Sequence, residues 1–123
     1  MKGVLVIGHG SRAEGTKEIF QKTVDELGKK MKEDIVEGCF MELSEPLIPE
    51  TVNKMYEKGV RNITVLPYFL FPGIHILKDI PEILRSKKEE HEGLEIELAS
   101  PICYDDKLVE ILKERVEGEK TCI

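Results

Sequence analysis

The sequence predicts a single α/β domain of three layers, with a four-stranded parallel sheet flanked by helices, and three observations predict it. The chain has 123 residues, enough for one domain around one hydrophobic core. Four short apolar segments of strand length alternate with four longer segments whose apolar residues recur at helical spacing. No low-complexity stretch or linker interrupts this alternation. Strands that alternate with helices pair in parallel, and the helices then cover both faces of the sheet.

The first unit is a buried strand followed by an amphipathic helix. Residues 4–7 are wholly apolar, the pattern of a strand that is buried on both faces of a parallel sheet. Residues 8–12, G-H-G-S-R, are predicted to form a loop after this strand. A helix that stops near Lys32 is predicted next, because apolar residues there recur at helical spacing. These residues are Ile19, Phe20, Val24, Leu27 and Met31.

The second unit has its strand within residues 34–43. The S-E-P sequence at residues 44–46 ends this strand, because proline lacks an N–H group for the sheet, and it can start the next helix. That helix carries an apolar stripe and ends at Gly59. The stripe consists of Val52, Met55 and Tyr56.

The third unit has its strand within residues 60–70, and residues 72–73 mark the loop that leaves it. Asp79 is predicted to cap the following helix, so Pro81 falls near the helix N-terminus, where proline is tolerated. His75 is then expected on the loop before the helix. The side chains predicted to face the core from this helix are Ile80, Ile83 and Leu84.

The fourth unit closes the chain. Residues 94–99 alternate apolar and charged side chains, which predicts a strand with one wet face at the edge of the sheet. The last helix carries an apolar stripe, and residues 118–123 are expected to be a frayed tail of the single 1–123 domain. The stripe consists of Leu108, Val109, Ile111, Leu112 and Val116.

The composition narrows the classes of function. The formal net charge of −6 argues against non-specific binding to nucleic acids or acidic membranes, which need a basic face. No segment has the length and apolar character of a membrane span, and the N-terminus carries no cleavage signal. The cysteines are odd in number and far apart, unlike a disulfide framework or a C-x-x-C metal site. We therefore expect a cytoplasmic protein in which Cys39, Cys103 and Cys122 are reduced.

Three residues that bear chemistry are predicted at the same edge of the sheet. His9 follows the first strand, Glu42 closes the second, and His75 follows the third. The carboxyl ends of parallel strands share one edge, where ligands bind in open α/β sheets. Two imidazoles and a carboxylate suit cobalt, nickel, iron or zinc better than magnesium or calcium, which prefer oxygen ligands. Such a set leaves coordination positions open, as a protein that hands its metal on requires.

Other roles stay open for these segments. His9 could be a loop histidine that is hydrogen-bonded to the backbone, and Glu42 could be a structural carboxylate at a helix entry. His91 stands in a charged stretch that is predicted to be a solvated helix end, and it is assigned no role. The loop at residues 8–12 could bind an anion, but it lacks the P-loop lysine and the full G-x-G-x-x-G spacing. The apolar run at residues 68–71 is core, or one or two of its side chains face a flat hydrophobic substrate.

Three segments together carry a family resemblance. They are residues 8–12 (G-H-G-S-R), residues 40–43 (F-M-E-L) with Pro46, and residues 67–81 (P-Y-F-L-F-P-G-I-H-I-L-K-D-I-P). The whole chain is similar to the short form of the sirohydrochlorin chelatases, the CbiX family of class II chelatases. The resemblance implies a chelatase-like fold and the insertion of a divalent metal into sirohydrochlorin, in cobalamin biosynthesis.

The resemblance also implies residue roles. His9 and His75 correspond to the paired metal-binding histidines of the family, and Glu42 assists as a metal ligand or as a proton acceptor. The substrate is a polycarboxylate while the protein is net negative, so its attraction has to be local. Candidates for contact with the substrate are Gly10, Ser11, Arg12, Phe69, Leu70 and Gly73, together with the N–H groups at the start of the following helix and, more weakly, Lys78.

A homodimer is implied as well, because longer relatives contain two such lobes in one chain, with the macrocycle held in the cleft. The inserted metal is expected to be cobalt from the family name, with nickel or ferrous iron on the same substrate as alternatives. A non-catalytic carrier of metal or tetrapyrrole is the alternative of another class. No permanently bound cofactor is expected, since the metal is a substrate. Only three histidines are present, so a histidine-rich storage loop is not supported.

Overall fold

Four strands alternate with four helices in a computed structural model, which describes residues 1–31 and 35–123 and describes His75 by its backbone alone. The predicted end of the first helix at Lys32 and the predicted start of the second strand at Asp34 lie outside the described residues. The elements are β1 (Lys2–Gly8), α1 (Thr16–Lys30), β2 (Ile35–Phe40), α2 (Ile48–Glu57), β3 (Asn62–Pro67), α3 (Ile74–Glu90), β4 (Glu95–Leu98) and α4 (Asp106–Glu117).

The four strands form one parallel sheet in the order β2-β1-β3-β4. In the centre, Leu5 of β1 is paired with Glu37 of β2 and with Val65 of β3. The predicted fold class is therefore confirmed, and so is the edge position of β4. All four strands run in one direction, so their carboxyl ends lie at a single edge of the sheet.

The two faces of the sheet are covered by different helices. On one face, α1 packs against β1 and β2 through the side chains Val4, Val6, Phe20, Val24 and Phe40. The other face carries the larger cluster, to which α2 and α3 contribute. Its buried side chains include Leu5, Ile7, Val52, Met55, Val65, Ile80 and Leu84. This arrangement gives three layers, with apolar side chains of β1 alternating between the two clusters.

The third helix begins earlier than predicted. Gly73 precedes it with an extended backbone, and the Leu77 N–H donates to the Gly73 carbonyl at 2.9 Å. Asp79 is therefore an interior residue and not the cap, and His75 lies in the first turn of α3 and not on the loop before it. Pro81 lies inside the helix, where it costs one backbone hydrogen bond. Burial of the apolar stripe of α3 against the sheet compensates for that loss.

The second helix also differs from its predicted start. It begins at Ile48, after a turn in which the Phe40 N–H donates to the Pro46 carbonyl at 2.8 Å. Leu47 precedes the helix, and its N–H donates to the Glu50 carboxylate at 2.6 Å. The S-E-P segment therefore belongs to a turn between β2 and α2, and Glu42 lies in that turn and not at the end of the strand.

The fourth helix does not join the core. None of its twelve residues, each of which the structure describes, is buried, although α4 carries the predicted apolar stripe. Residues 118–123 after it are exposed and have no regular secondary structure. In the described part of the chain, no helix combines the length and apolar character that a membrane span requires.

His91 is more than a solvated helix end. Its ring stacks on Tyr56 with centroids 4.4 Å apart, and its Nε2 lies 2.8 Å from Oδ1 of Asn53. The guanidinium group of Arg61 also lies over the Tyr56 ring, 3.6 Å from its centroid, so these four side chains form one cluster. The cluster ties the end of α3 to α2, at the sheet edge opposite to the one where the strands end.

We predict very different reactivities for the buried and the exposed cysteine. Cys39 is fully buried, and burial followed by the negative charge of Glu50 raises the pKa of its thiol, so the reactive thiolate is suppressed. Cys122 is exposed. Iodoacetamide followed by peptide mass spectrometry should modify Cys122 in the native protein and Cys39 only after unfolding. Equal labelling of both in the native state would contradict the burial.

Candidate active site at the carboxyl edge of the sheet

His9 and Glu42 are neighbours at the carboxyl edge of the sheet. His9 directly follows β1, and Glu42 lies two residues beyond the end of β2. The backbone holds the two segments together, because the Met41 N–H donates to the Gly8 carbonyl at 2.9 Å and the Glu42 N–H donates to the His9 carbonyl at 3.3 Å. Nε2 of His9 then lies 3.9 Å from Oε1 of Glu42. The fold thus brings together two of the three residues that the sequence analysis placed at this edge.

Both side chains remain open to the outside. The His9 side chain is 58% exposed and that of Glu42 is 63% exposed. At such exposure their mutual attraction adds little stability. An imidazole nitrogen and a carboxylate oxygen that face solvent together can accept a divalent ion or a proton from a bound molecule. The pair is therefore better suited to chemistry than to holding the fold together.

Phe69 supports the imidazole from the side. The two rings meet edge to face, with centroids 6.1 Å apart and planes at 79°. Phe69 is partly buried and packs against the larger core cluster. Its ring therefore restricts the movement of His9 on one side, while the neighbouring Leu70 is half exposed and available for contact with a ligand.

Gly10 lets the two loops approach each other. Its φ is +102°, a backbone conformation that residues with a Cβ rarely adopt. A Cβ at this position would lie 1.7 Å from the backbone carbonyl oxygen of Glu42. Gly10 is a candidate for contact with the substrate, but the close neighbour of its Cα is the protein's own backbone.

Ser11 is connected to the same turn. The Ser44 hydroxyl donates to the Ser11 carbonyl at 2.9 Å, and the Ser11 hydroxyl accepts from the Ala13 N–H at 2.9 Å. Both contacts stabilise the loop after β1. Helix α1 begins only at Thr16, so the N–H groups at its start, which are candidates for contact with the substrate, lie four residues beyond Arg12. Arg12 itself is exposed.

The backbone of His75 lies at the same edge of the sheet as His9 and Glu42. It lies in the first turn of α3, which follows β3 after residues 68–73, and β3 is the neighbour of β1 in the sheet. Gly73 is the residue that precedes this helix. Among the side chains that the structure describes, no three from histidine, cysteine, aspartate and glutamate form a metal-binding group. The His9 and Glu42 pair is thus the described part of the candidate site.

Ser44 is a residue that the sequence analysis missed. It was assigned only to the segment that ends the second strand, yet its hydroxyl joins the loops after β1 and β2. Leu43 beside it has a positive φ of 67°, which the sequence does not signal because leucine rarely adopts it. A serine two residues after the carboxylate candidate is the only hint that the sequence offers.

The chain is similar to known proteins over almost its whole length. The model of the CbiX family matches residues 3–119. The sirohydrochlorin cobaltochelatase of Methanococcus aeolicus is 35% identical, and the match covers 96% of this chain and 99% of that protein.

Two solved structures have the same fold at twice the length. The sirohydrochlorin chelatase SirB from Bacillus subtilis subspecies spizizenii, in complex with cobalt, has a TM-score of 0.88 at 25% identity, covering 94% of this chain and 50% of SirB. SirB from Bacillus subtilis with Fe3+ has a TM-score of 0.86 at 25% identity and covers 94% of this chain and 46% of SirB. The chain therefore spans about half the length of these structural relatives.

Proposed function

This chain belongs to the CbiX family, and from that membership we propose that it is a sirohydrochlorin cobaltochelatase, which inserts Co²⁺ into sirohydrochlorin in the biosynthesis of cobalamin. The observation that carries the proposal is the His9 and Glu42 pair, 3.9 Å apart at the carboxyl edge of the sheet, with His75 entering α3 at the same edge. These residues lie within the matched residues 3–119, so the pair and the family match concern the same part of the chain.

In the proposed mechanism, neutral His9 and His75 hold the metal at one face of the macrocycle. Imidazole nitrogens bind divalent cobalt well, and two of them leave coordination positions free for the pyrrole nitrogens. Glu42 acts beside His9 as a further ligand or as the acceptor of pyrrole N–H protons. Each pyrrole N–H proton that leaves is replaced by a bond from nitrogen to the metal. The exposure of His9 and Glu42 supports this proposal, because the metal has to pass from protein to ring.

The substrate carboxylates are bound by groups around this pair. Arg12 and Lys78 are exposed and can offer charge-assisted hydrogen bonds, while Leu70 offers apolar contact to the flat ring. Gly10 and Gly73 act through the backbone. Ser11 contributes to the loop geometry more than to binding, since its hydroxyl already accepts from the Ala13 N–H.

We propose a homodimer as the working unit. The chain has one α/β lobe and spans about half of SirB. One SirB chain is therefore long enough for two such lobes, and two copies of this chain supply two lobes. Closed two-fold symmetry is the commonest arrangement for such pairs.

Ferrous iron is a second candidate for the inserted metal, because a relative has been solved with cobalt and with Fe3+. Imidazole and carboxylate ligands suit cobalt, nickel and iron alike, so the ligand set does not choose among them. The choice of cobalt depends on the names of the relatives that match over their full length.

The test is an anaerobic absorbance assay of sirohydrochlorin with Co²⁺, Ni²⁺ and Fe²⁺ in turn, with and without the protein. We expect metalation above the uncatalysed rate, and fastest with Co²⁺. A faster reaction with Fe²⁺ or Ni²⁺ would change the metal and keep the activity. Binding of sirohydrochlorin and metal without any acceleration would identify a carrier and contradict the enzyme.

A further inference from the structure

Ser44 connects the two loops that carry His9 and Glu42. Its hydroxyl donates to the Ser11 carbonyl at 2.9 Å, and the same oxygen accepts from the Ser11 N–H at 3.4 Å. Ser11 follows His9 by two residues, and Ser44 follows Glu42 by two. Both serines are half-buried. One side chain thus contacts both polar backbone groups of a residue in the neighbouring loop, directly beside the candidate site.

This contact continues a series of bonds between the two loops. The strands β1 and β2 pair as far as Gly8 and Phe40, and beyond them the Glu42 N–H donates to the His9 carbonyl. That bond is 3.3 Å long, at the weak end for an N–H group and a carbonyl. The backbone alone therefore holds Glu42 loosely, and the Ser44 side chain adds a second attachment just after it.

Residues 42–44 form a tight turn with a strained centre. The Ser44 N–H donates to the Glu42 carbonyl at 2.8 Å, and Leu43 between them has a φ of 67°. A hydrogen bond that spans three residues around a positive φ is the mark of the classic γ-turn, which is rare and strained. Leu43 is half exposed, so burial of its own side chain offsets little of the strain. Such a conformation persists only where the surrounding contacts fix it.

The orientation of Glu42 depends on this turn. Its carbonyl accepts from the Ser44 N–H and lies against Gly10, while its carboxylate is 63% exposed. Few neighbours restrain an exposed side chain, so the backbone of the turn sets its direction. Relaxation of Leu43 to a negative φ would rotate the Glu42 peptide group and move the carboxylate away from Nε2 of His9, which now lies 3.9 Å from it.

We propose that Ser44 is a positioning residue for metal insertion. Its bond to Ser11 keeps the turn at residues 42–44 in the strained form, and the turn holds the Glu42 carboxylate opposite His9. This inference rests on the proposed function, because it names a further residue for the same site. Ser44 acts through Glu42, whether that carboxylate binds the metal or accepts a proton.

The first test compares three hydroxyl variants in the anaerobic insertion assay. Ser44→Ala should lower kcat about tenfold, less than the roughly 100-fold that a displacement of about 1 Å can cost, and should change KM for sirohydrochlorin less than about twofold. Ser44→Thr keeps the hydroxyl and should restore most of the rate. The matched control is Thr23→Ala, because the Thr23 hydroxyl also donates to a backbone carbonyl, that of Ile19 at 3.1 Å, but within α1. Its kcat should equal that of wild type.

A double-mutant cycle tests whether Ser44 acts through Glu42. Glu42→Gln removes the carboxylate charge and keeps the size of the side chain. If the hydroxyl serves only to hold this carboxylate, Ser44→Ala should lower kcat about tenfold in the wild-type background and less than about twofold in the Glu42→Gln background. A hydroxyl that merely stabilises the fold would cost the same factor in both backgrounds.

Amide hydrogen exchange, followed by NMR in the absence of metal and substrate, gives a readout besides activity. The Glu42 amide should exchange at least about tenfold faster in Ser44→Ala than in wild type, because the loops open more often. The amide of Leu5, in the centre of the sheet, should be accelerated less. Equal acceleration at the two amides would indicate a general loss of stability and would contradict a local role.

The outcomes separate the inference from the activity. A wild-type chain that does not accelerate insertion would overturn the proposed function and the inference together. An active wild type with an equally active Ser44→Ala would overturn the inference and leave the proposed function intact. The same holds for an active wild type in which Ser44→Ala costs the same factor with and without the Glu42 carboxylate.

Discussion

His9→Ala should lower the rate of cobalt insertion into sirohydrochlorin at least about 100-fold, since losing even an outer-shell partner of a metal ligand costs about 10- to 100-fold. The substitution removes the imidazole that faces Glu42 and leaves the backbone bonds between the two loops in place. The variant should therefore fold normally, and the substitution should lower the rate of cobalt insertion. The measurement is the initial rate of the absorbance change under anaerobic conditions. His75→Ala should produce a loss of similar size.

The third histidine provides a matched control. His91 lies at the opposite edge of the sheet, where its ring stacks on Tyr56, so His91→Ala should cost stability of about 0.5–1.5 kcal/mol and leave the insertion rate unchanged. Equilibrium cobalt binding, followed by calorimetry, should weaken in His9→Ala and stay at the wild-type level in His91→Ala. If His9→Ala and His75→Ala both insert cobalt at the wild-type rate, the metal site has been assigned to the wrong residues.

Gly10→Ala is expected to disable the site through the backbone. The added Cβ would lie 1.7 Å from the Glu42 carbonyl oxygen, so the turn after β2 has to move by more than 1 Å. Misplacement of a catalytic group by about 1 Å can cost roughly 100-fold in rate. We expect a folded protein with a lower free energy of unfolding and an insertion rate reduced by about that factor.

Gly15→Ala separates the contact from the backbone conformation. Gly15 also has a positive φ, 83°, but a Cβ there meets nothing within 4 Å. The Gly15→Ala variant should therefore lose only about 1–2 kcal/mol of its free energy of unfolding, because alanine disfavours the left-handed conformation, and it should keep its activity. Urea unfolding and the insertion rate of both variants make the comparison. Equal behaviour of the two alanine variants would show that the approach of Gly10 to Glu42 has no consequence.

Much of the fold could be predicted because it depends on local periodicity. The continuous apolar run at residues 4–7 identified a central strand, and the alternation at residues 94–99 identified an edge strand. Helix boundaries were predicted less well. Asp79 is a good capping residue, but burial of the apolar face of α3 outweighs that local preference and extends the helix back to Ile74. His75 therefore lies in a helical turn and not in the predicted loop.

The parallel α/β class and the common edge of His9, Glu42 and His75 could be predicted from local patterns, because strand direction follows from the alternation of strands and helices. How the loops at that edge meet became visible only in the folded chain. The contacts between Gly10 and Glu42 and between Ser11 and Ser44 join residues more than thirty positions apart, and no local pattern encodes them. The same holds for α4, whose apolar stripe predicts burial. Whether a helix is buried depends on which surface it meets, and in this fold its stripe faces outward, at the edge that carries the site.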